Sequence, residues 1–235
     1  VLKTPKAATA TVPEQAEDAP TPMTKTGRQD RRHLRGQASA QRIIDTTIRL
    51  IAQEGMANVT MQRIAGEVGS SNALVVFHFG SKDKLFRAVL EYLNDQFARL
   101  WDSMVNSPDL SAEARVIASI DCARHFRNQH PDWVSVWVLF GSDRQTVQLD
   151  RLISQPSDQA YLAQSRALLA EVAREGGYEN VDTDTLAEGL NYLVQGAWYW
   201  DTFNPDTVRS EALHKTAMAL LRGAFPNSFP VSGTA

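Results

Sequence analysis

The chain of 235 residues has a single cysteine, Cys122, so it contains neither an internal disulfide nor a zinc site built on cysteines. It also lacks any run of about 20 apolar residues, which argues against a membrane-spanning helix. Its first residues show no basic start followed by an apolar stretch, although Met23 is an alternative start to Val1. These absences predict a protein of the reducing cytoplasm with no membrane partner. Hydrophobic residues make up 43% of the chain, which is enough to form a core.

Motifs that are typical of catalysis are missing as well. There is no HExxH and no dinucleotide-binding fingerprint, and Gly80-Ser81-Lys82 lacks the upstream glycine of a phosphate-binding loop. Cys122 and His125 can face each other on a helix, but no third group orients them and no oxyanion site is visible. A buried structural cysteine is the simpler interpretation. We therefore expect no catalytic residue, no metal and no cofactor.

A surplus of charge of one sign is also absent overall, since the net charge is only −3. The charges are unevenly distributed, however. Residues 25–91 contain eleven Lys and Arg against six Asp and Glu, whereas residues 92–235 contain eleven against eighteen. A basic first third predicts that this end of the molecule binds a polyanion such as nucleic acid.

The spacing of apolar residues predicts an all-α fold with no useful strand pattern. Four regions follow from composition and helix stop signals. They are a disordered tail with a basic end over 1–37, a three-helix domain over 38–85, a helical domain over 86–226, and a flexible tail over 227–235. The basic end, with Arg28, Arg31, Arg32 and Arg35, is either a solvated linker or an arm that lies on DNA. The predicted helices are 38–54, 61–68, 71–79, 82–104, 111–129, 131–141, 145–154, 157–175, 183–203 and 206–224.

Two short amphipathic helices in the basic region suggest a helix-turn-helix. Thr60 is a natural N-cap for Met61–Val68, Gly69 permits a turn with positive φ, and a second helix follows directly. In this layout the second helix enters the major groove of DNA. An adaptor that uses the same layout to bind protein is an alternative.

Residues 42–90 resemble the DNA-binding domain of the TetR family of bacterial transcriptional repressors. The matching stretches are Arg42-Ile43-Ile44-Asp45, Glu54-Gly55, Thr60-Met61-Gln62-Arg63-Ile64-Ala65, Val68-Gly69 and His78-Phe79-Gly80-Ser81-Lys82-Asp83-Lys84-Leu85. The later helices are similar to the family in number and order. Gly196-Ala197-Trp198 is similar to the branch of choline-responsive repressors.

The resemblance implies which side chains meet DNA. On the recognition helix, Val75 and Phe79 are expected to point into the domain. Val76 stands where the family usually has Tyr, so apolar contact with thymine methyl groups has to supply part of the specificity. The implied DNA-binding residues are Ser39, Arg42, Thr60, Ser71, Asn72, Ala73, Val76, Phe77, His78 and Lys82.

The resemblance also assigns the C-terminal helices to an effector site and a dimer interface. The candidate effector-binding residues are Trp133, Trp137, Phe140, Tyr192, Trp198, Tyr199 and Asp201. The candidate dimer residues are Leu186, Leu190, Leu193, Ala197, Leu213, Ala217, Leu220 and Leu221. For both sets, packing inside one chain is the alternative. Aromatic faces beside a carboxylate suit a cation such as a quaternary ammonium, while an aromatic or other apolar ligand suits the aromatic residues equally well.

The resemblance thus implies a ligand-responsive repressor that binds a palindromic DNA operator as a homodimer and is released by a small-molecule effector. A regulator of the same fold that needs no effector, or that activates transcription, is the alternative function. A filled core without a cavity would favour this alternative.

Overall fold

The computed structural model describes residues 25–207 and 210–230, and within these ranges the fold is all-α, as predicted. The helices are α1 (Lys25–Glu54), α2 (Met61–Val68), α3 (Asn72–Phe79), α4 (Lys82–Met104), α5 (Ala112–Gln129), α6 (Pro131–Ser142), α7 (Val147–Ile153), α8 (Gln155–Gly176), α9 (Thr183–Phe203) and α10 (Ser210–Ala224), with a 3₁₀ turn at Pro205–Thr207. Most predicted helix ends agree with these bounds to within three residues.

The largest disagreement with the sequence prediction is the start of α1. The helix begins at Lys25, thirteen residues before the predicted start at Ala38, so residues 25–37 are helical rather than disordered. The prolines that suggested a disordered tail all precede this segment, and its Lys, Arg and Gln residues are good helix formers. The part of the predicted tail before Lys25, and residues 231–235 of the predicted C-terminal tail, lie outside the described residues.

The chain divides into two compact units, Val1–Ala38 and Ser39–Ala235. In the first unit, the side chains of His33, Leu34 and Arg35 are exposed. The second unit contains both the helix-turn-helix and the later helices. The predicted domain boundary after residue 85 falls inside α4 and stays a prediction.

Local signals explain how the helix-turn-helix is formed. The Oγ1 atom of Thr60 accepts a hydrogen bond from the backbone N–H of Arg63 at 3.0 Å, which caps α2. Gly69 ends α2 in the left-handed conformation, with φ of 70°, which few residues other than glycine adopt. Ser71 and Ser81 cap α3 and α4 in the same way as Thr60 caps α2.

A continuous hydrophobic core runs from the helix-turn-helix into the later helices through α4. Leu85 and Val89 of α4 belong to the first part of this core, and Phe97 and Trp101 belong to the second. Pro156, which we expected to precede α8, lies in its first turn, where its missing N–H costs no helical hydrogen bond. Helix α4 therefore connects the two parts of the second unit.

Candidate functional site

The recognition helix α3 has one buried face and one exposed face. Val75 is fully buried and Phe79 is partly buried against the core, as predicted. On the opposite face Phe77 is 80% exposed and Val76 is 41% exposed. Asn72 is exposed beside them at the start of the helix. The exposed face is therefore mostly apolar.

Most of the polar groups near α3 already have partners inside the protein. The Oγ atom of Ser71 accepts from the backbone N–H of Leu74 at 3.2 Å. The Nε2 atom of His78 lies 3.2 Å from the Oγ atom of Ser39, which joins α3 to α1. Among the predicted base-reading side chains that the structure describes, Asn72 is the polar one without such a partner.

The predicted phosphate contacts lie on the same part of the molecule but differ in their surroundings. Arg42 and Thr60 are exposed. Lys82 is partly buried, and its Nζ atom donates to the backbone carbonyl of Met56 at 3.0 Å and lies 5.0 Å from the ring centroid of Phe86. Lys82 therefore also joins the start of α4 to the turn after α1. The sequence offered no signal for this second contact.

Two of the basic residues that give this region its positive charge are neutralised by carboxylates. Arg63 donates to Glu67 at 2.7 Å and to Glu54 at 2.7 Å, and Arg49 donates to Glu67 at 2.8 Å. Hydrogen bonds from Arg63 and then from Arg49 lower the pKa of the Glu67 carboxyl group. These pairs tie α2 to α1, so Arg49 and Arg63 offer DNA less charge than the sequence suggests.

An aromatic cavity lies among α4, α5, α6, α8 and α9. Its volume is about 80 Å³. Phe97 lies at the centre of its aromatic wall. The ring centroids of Trp101, Trp137, Tyr161 and Trp198 all lie within 6.1 Å of the centroid of Phe97. Such a cavity has the apolar lining of a small-molecule site.

The cavity wall contains one carboxylate, Asp158, which the sequence analysis missed. Asp158 is exposed to solvent on α8, yet the protein packed around its carboxyl group, reinforced by the negative charge of Asp150, raises its pKa to about 6. A signal was present in the sequence, because Asp158, Tyr161, Leu162 and Ser165 recur at the spacing of one helical face.

Only two of the predicted effector-binding residues, Trp137 and Trp198, line this cavity. The other five lie elsewhere, for reasons of packing or pairing. Phe140 is fully buried against Phe86, with ring centroids 5.3 Å apart, and Trp133 stacks on His130 at 3.8 Å. Tyr192 and Tyr199 are exposed on another face of α9, and Asp201 pairs with Arg127 at 2.9 Å.

The predicted dimer residues divide in a similar way. Leu190, Leu213, Ala217 and Leu221 are buried by their own chain, so packing within the subunit accounts for them. Leu186, Leu193 and Ala197 are partly buried, and Leu220 is 45% exposed. The exposed apolar side chains of α9 and α10 are instead Tyr192, Tyr199, Trp200, Phe203 and Leu220.

The remaining cysteine, histidine and acidic side chains do not form a further site in the described residues. Cys122 is fully buried, and burial raises the pKa of its thiol to about 12, which agrees with a structural cysteine. Within residues 25–207 and 210–230 no group of three or more His, Cys, Asp or Glu side chains is arranged to hold a metal ion. In the same ranges no helix is both long enough and apolar enough to cross a membrane.

Comparison with known proteins identifies the DNA-binding part. Residues 43–89 match the family described as bacterial regulatory proteins of the tetR family. The HTH-type transcriptional regulator BetI of Brucella canis is 25% identical over 192 residues, which cover 79% of this chain and 92% of the relative.

Two solved structures share the fold. A TetR transcription regulator from Haloarcula marismortui has a TM-score of 0.69 at 24% identity, covering 80% of this chain and 98% of its own. A regulator from Saccharomonospora viridis, solved in complex with choline, has a TM-score of 0.66 at 19% identity, covering 79% and 96%. Together with the helix-turn-helix and the helical fold behind it, these matches show that residues 43–89 form a DNA-binding domain of the tetR family, and that the chain is a DNA-binding regulator of transcription similar to TetR-family proteins over most of its length.

Proposed function

We propose that this protein is a ligand-responsive repressor that binds a palindromic operator as a homodimer and leaves it when a small molecule fills the aromatic cavity. The observation that carries the proposal is that α4 contributes to both regions. Its first residue, Lys82, joins the helix-turn-helix, and its residues Phe97 and Trp101 line the cavity. The proposal involves no enzymatic step, and it places the protein in the cytoplasm with its DNA.

Glycines on α9 and α10 support the homodimer. Gly189, Gly196 and Gly223 lie within helices, where glycine costs about 1 kcal/mol relative to alanine. A Cβ atom added at any of the three would meet nothing within 4 Å in its own chain. Packing inside the subunit therefore does not require their small size, whereas the close approach of helices from a second copy does.

The exposed apolar side chains on the same two helices support this assignment. Tyr192 is 68% exposed and Leu220 is 45% exposed, and Trp200 lies with Tyr192 in an open groove against Ala212 and Thr216 of α10. Adjacent exposed apolar side chains are a common mark of a protein interface. A symmetric dimer presents two recognition helices to successive major grooves about 34–36 Å apart.

A buried polar cluster connects the cavity wall to α4. The Nε1 atom of Trp137, which lines the cavity, donates to the Oγ atom of Ser154 at 3.0 Å. The Nδ2 atom of Asn94 on α4 donates to the same oxygen at 3.2 Å. A ligand that moves Trp137 therefore disturbs a hydrogen bond that α4 shares. The ligand shifts the protein between two states by its difference in affinity for them.

The neighbour from Saccharomonospora viridis, which was solved in complex with choline, supports a small-molecule occupant in a helical fold of this kind. The aromatic cavity favours ligand control over the alternative of a regulator without an effector, for which a filled core is expected.

Selection from a randomised DNA library by the purified protein tests the proposal. We expect an enriched inverted repeat, a dimer by light scattering, and loss of the complex on that repeat when a cavity ligand is added. Steep dependence of DNA affinity on salt is expected as well. If an inverted repeat is enriched but no cavity ligand releases the protein from it, the protein is a DNA-binding dimer and ligand control is overturned. Enrichment of a single half-site by a monomer would overturn the homodimer.

A further inference from the structure

The charges around the aromatic cavity limit the kind of molecule that it can hold. Among the eighteen described residues that line the cavity, Asp158 is the only Asp, Glu, Lys, Arg or His. The other polar lining residues are neutral, namely Ser119, Tyr161, Ser165, Asn191 and Gln195. Any ligand that fills the cavity therefore approaches one negative charge and no fixed positive charge.

Asp158 has no counterion within the described chain. Among the described residues no ion pair or hydrogen bond joins its carboxylate to another side chain, whereas Asp201, which lines a different groove, pairs with Arg127. The charge that acts on Asp158 is that of Asp150, which is also negative. Asp150 itself has an Oδ1 atom that is buried without a partner. The electrostatic potential at this wall is therefore negative and uncompensated.

The aromatic residues around the cavity add to this preference. Phe97, Trp101, Trp137 and Trp198 line the cavity, and a cation that lies over the face of an aromatic ring is attracted by its quadrupole. A neutral apolar ligand would fill the same space but would leave the carboxylate further desolvated without a partner, which is unfavourable. An anion would meet Asp158 and Asp150 with no positive side chain on the wall to offset them.

We propose that the ligand of this cavity is an organic cation with an apolar body, and that Asp158 selects it by pairing with its positive charge among the aromatic rings. This inference rests on the proposed function only in taking the cavity to be a ligand site. Asp158 is then the specificity-determining residue of the cavity. Tyr192 and Tyr199 cannot have this role because they are exposed on another face of α9, and Asp201 cannot because it pairs with Arg127.

Calorimetry with matched ligands tests this proposal. Choline, tetramethylammonium and benzyltrimethylammonium are the cations, 3,3-dimethylbutan-1-ol is the uncharged isostere of choline, and 3,3-dimethylbutanoate is the anion. We expect at least one of the cations to bind, with affinity at least about tenfold above those of the alcohol and the anion. Equal affinity for choline and the alcohol, preference for the anion, or no binding by any of the cations would overturn the inference.

Three variants locate the charge that matters. Asp158→Asn keeps the shape of the side chain and removes its charge, so we expect it to lose about tenfold or more in cation affinity while binding of the alcohol changes little. Asp158→Glu keeps the charge and is expected to retain preference for the cation. Asp109→Asn removes a charge from an exposed loop position away from the cavity and is the matched control. If the unchanged protein and the Asp158→Asn variant bind the cation with equal affinity, the proposed role of Asp158 is overturned.

Failure of this inference can be distinguished from failure of the proposed function. Each variant and each ligand is also tested for release of the enriched DNA. A cation that binds through Asp158 without releasing DNA would support the ligand class and contradict ligand control. Release of DNA by an uncharged or anionic ligand, unaffected in Asp158→Asn, would support ligand control and contradict the ligand class.

Discussion

In most proteins apolar side chains are buried and charged side chains have polar surroundings. The recognition helix and the aromatic cavity depart from this pattern in opposite ways. On α3, the polar side chains Ser71 and His78 bond within the protein, and the large apolar side chain of Phe77 is 80% exposed. In the cavity, apolar rings surround a wall that includes the unpaired carboxylate of Asp158. Phe77 is a large apolar side chain exposed to solvent, and Asp158 is a carboxylate without a counterion among the described residues; an external molecule can supply the partner that each of them lacks. Sites that break local rules in this way are candidates for function.

The largest expected effect follows from removing the proposed dimer. Gly196→Arg places a long charged side chain on the exposed face of α9, where a second copy is expected to pack. We expect a monomer by light scattering and a loss of operator affinity of about 100-fold or more, because two linked half-site contacts become one. Gln148→Arg, on the exposed face of α7, adds the same side chain elsewhere and is the control. A dimeric Gly196→Arg with normal affinity would contradict the assignment of this face.

The exposed apolar face of α3 predicts how the operator is read. In the major groove an apolar side chain finds its match in the methyl group of thymine. Phe77→Ala is expected to weaken operator binding about tenfold or more, with little change in the melting temperature because Phe77 is already exposed. Fluorescence anisotropy with labelled operator measures the affinity, and Leu152→Ala, at an exposed position on α7, is the control.

Replacing thymine with uracil in the operator sharpens the same prediction, because it removes the methyl group and leaves base pairing unchanged. At the position that Phe77 reads, uracil is expected to weaken binding of the unmodified protein and to have little effect on Phe77→Ala. An operator in which every thymine can be replaced without loss of affinity would contradict apolar readout by α3.

The sequence was informative where a residue acts on its immediate neighbours along the chain. The cap of α2 and the turn at Gly69 follow from local rules and were predicted, and the predicted bounds of α2, α3 and α4 agree with the structure to within one residue. The face of α3 that carries Val75 could also be predicted, because helical spacing alone separates its buried and exposed sides.

The sequence was less informative where several helices meet. Trp137 and Phe140 have the same spacing signal on α6, yet one lines the cavity and the other packs on Phe86 of α4. Leu190 and Ala217 fit an interface pattern equally well, but neighbouring helices of their own chain cover them. Which partner a helical face meets is a tertiary property that periodicity does not encode.

The ionisation of Asp158 predicts how cation binding changes with pH. Burial and the charge of Asp150 hold the pKa of Asp158 at about 6 in the free protein, and a bound cation lowers it. Below that pH a proton competes with the ligand, so cation affinity is expected to fall by up to about tenfold per pH unit. Calorimetry between pH 5 and 8 checks this, and Asp158→Asn is expected to show a flat profile. The pKa of the neighbouring Tyr161 is raised to about 12, above this range. Burial also raises the pKa of Asp150, and protonation of Asp150 changes cation affinity in the same direction as protonation of Asp158.

The smallest expected effect concerns stability without ligand, and it separates a binding role of Asp158 from a structural one. Because the folded state raises the pKa of Asp158 above its ordinary value of 3.8, the ionised carboxylate destabilises the fold. The folded state favours protonated Asp158, so this stabilisation is fully present below about pH 4 and is lost as the pH rises through about 6. At pH 7.5 we expect Asp158→Asn to melt about 1–3 °C higher than the unchanged protein, a small gain because solvent in the cavity reaches the carboxylate. The gain is expected to disappear at pH 4, as thermal unfolding at the two pH values can show. If Asp158 serves the ligand and not the fold, its charge should destabilise the protein when no ligand is bound. A variant that melts lower at pH 7.5 would therefore indicate instead that Asp158 stabilises the fold.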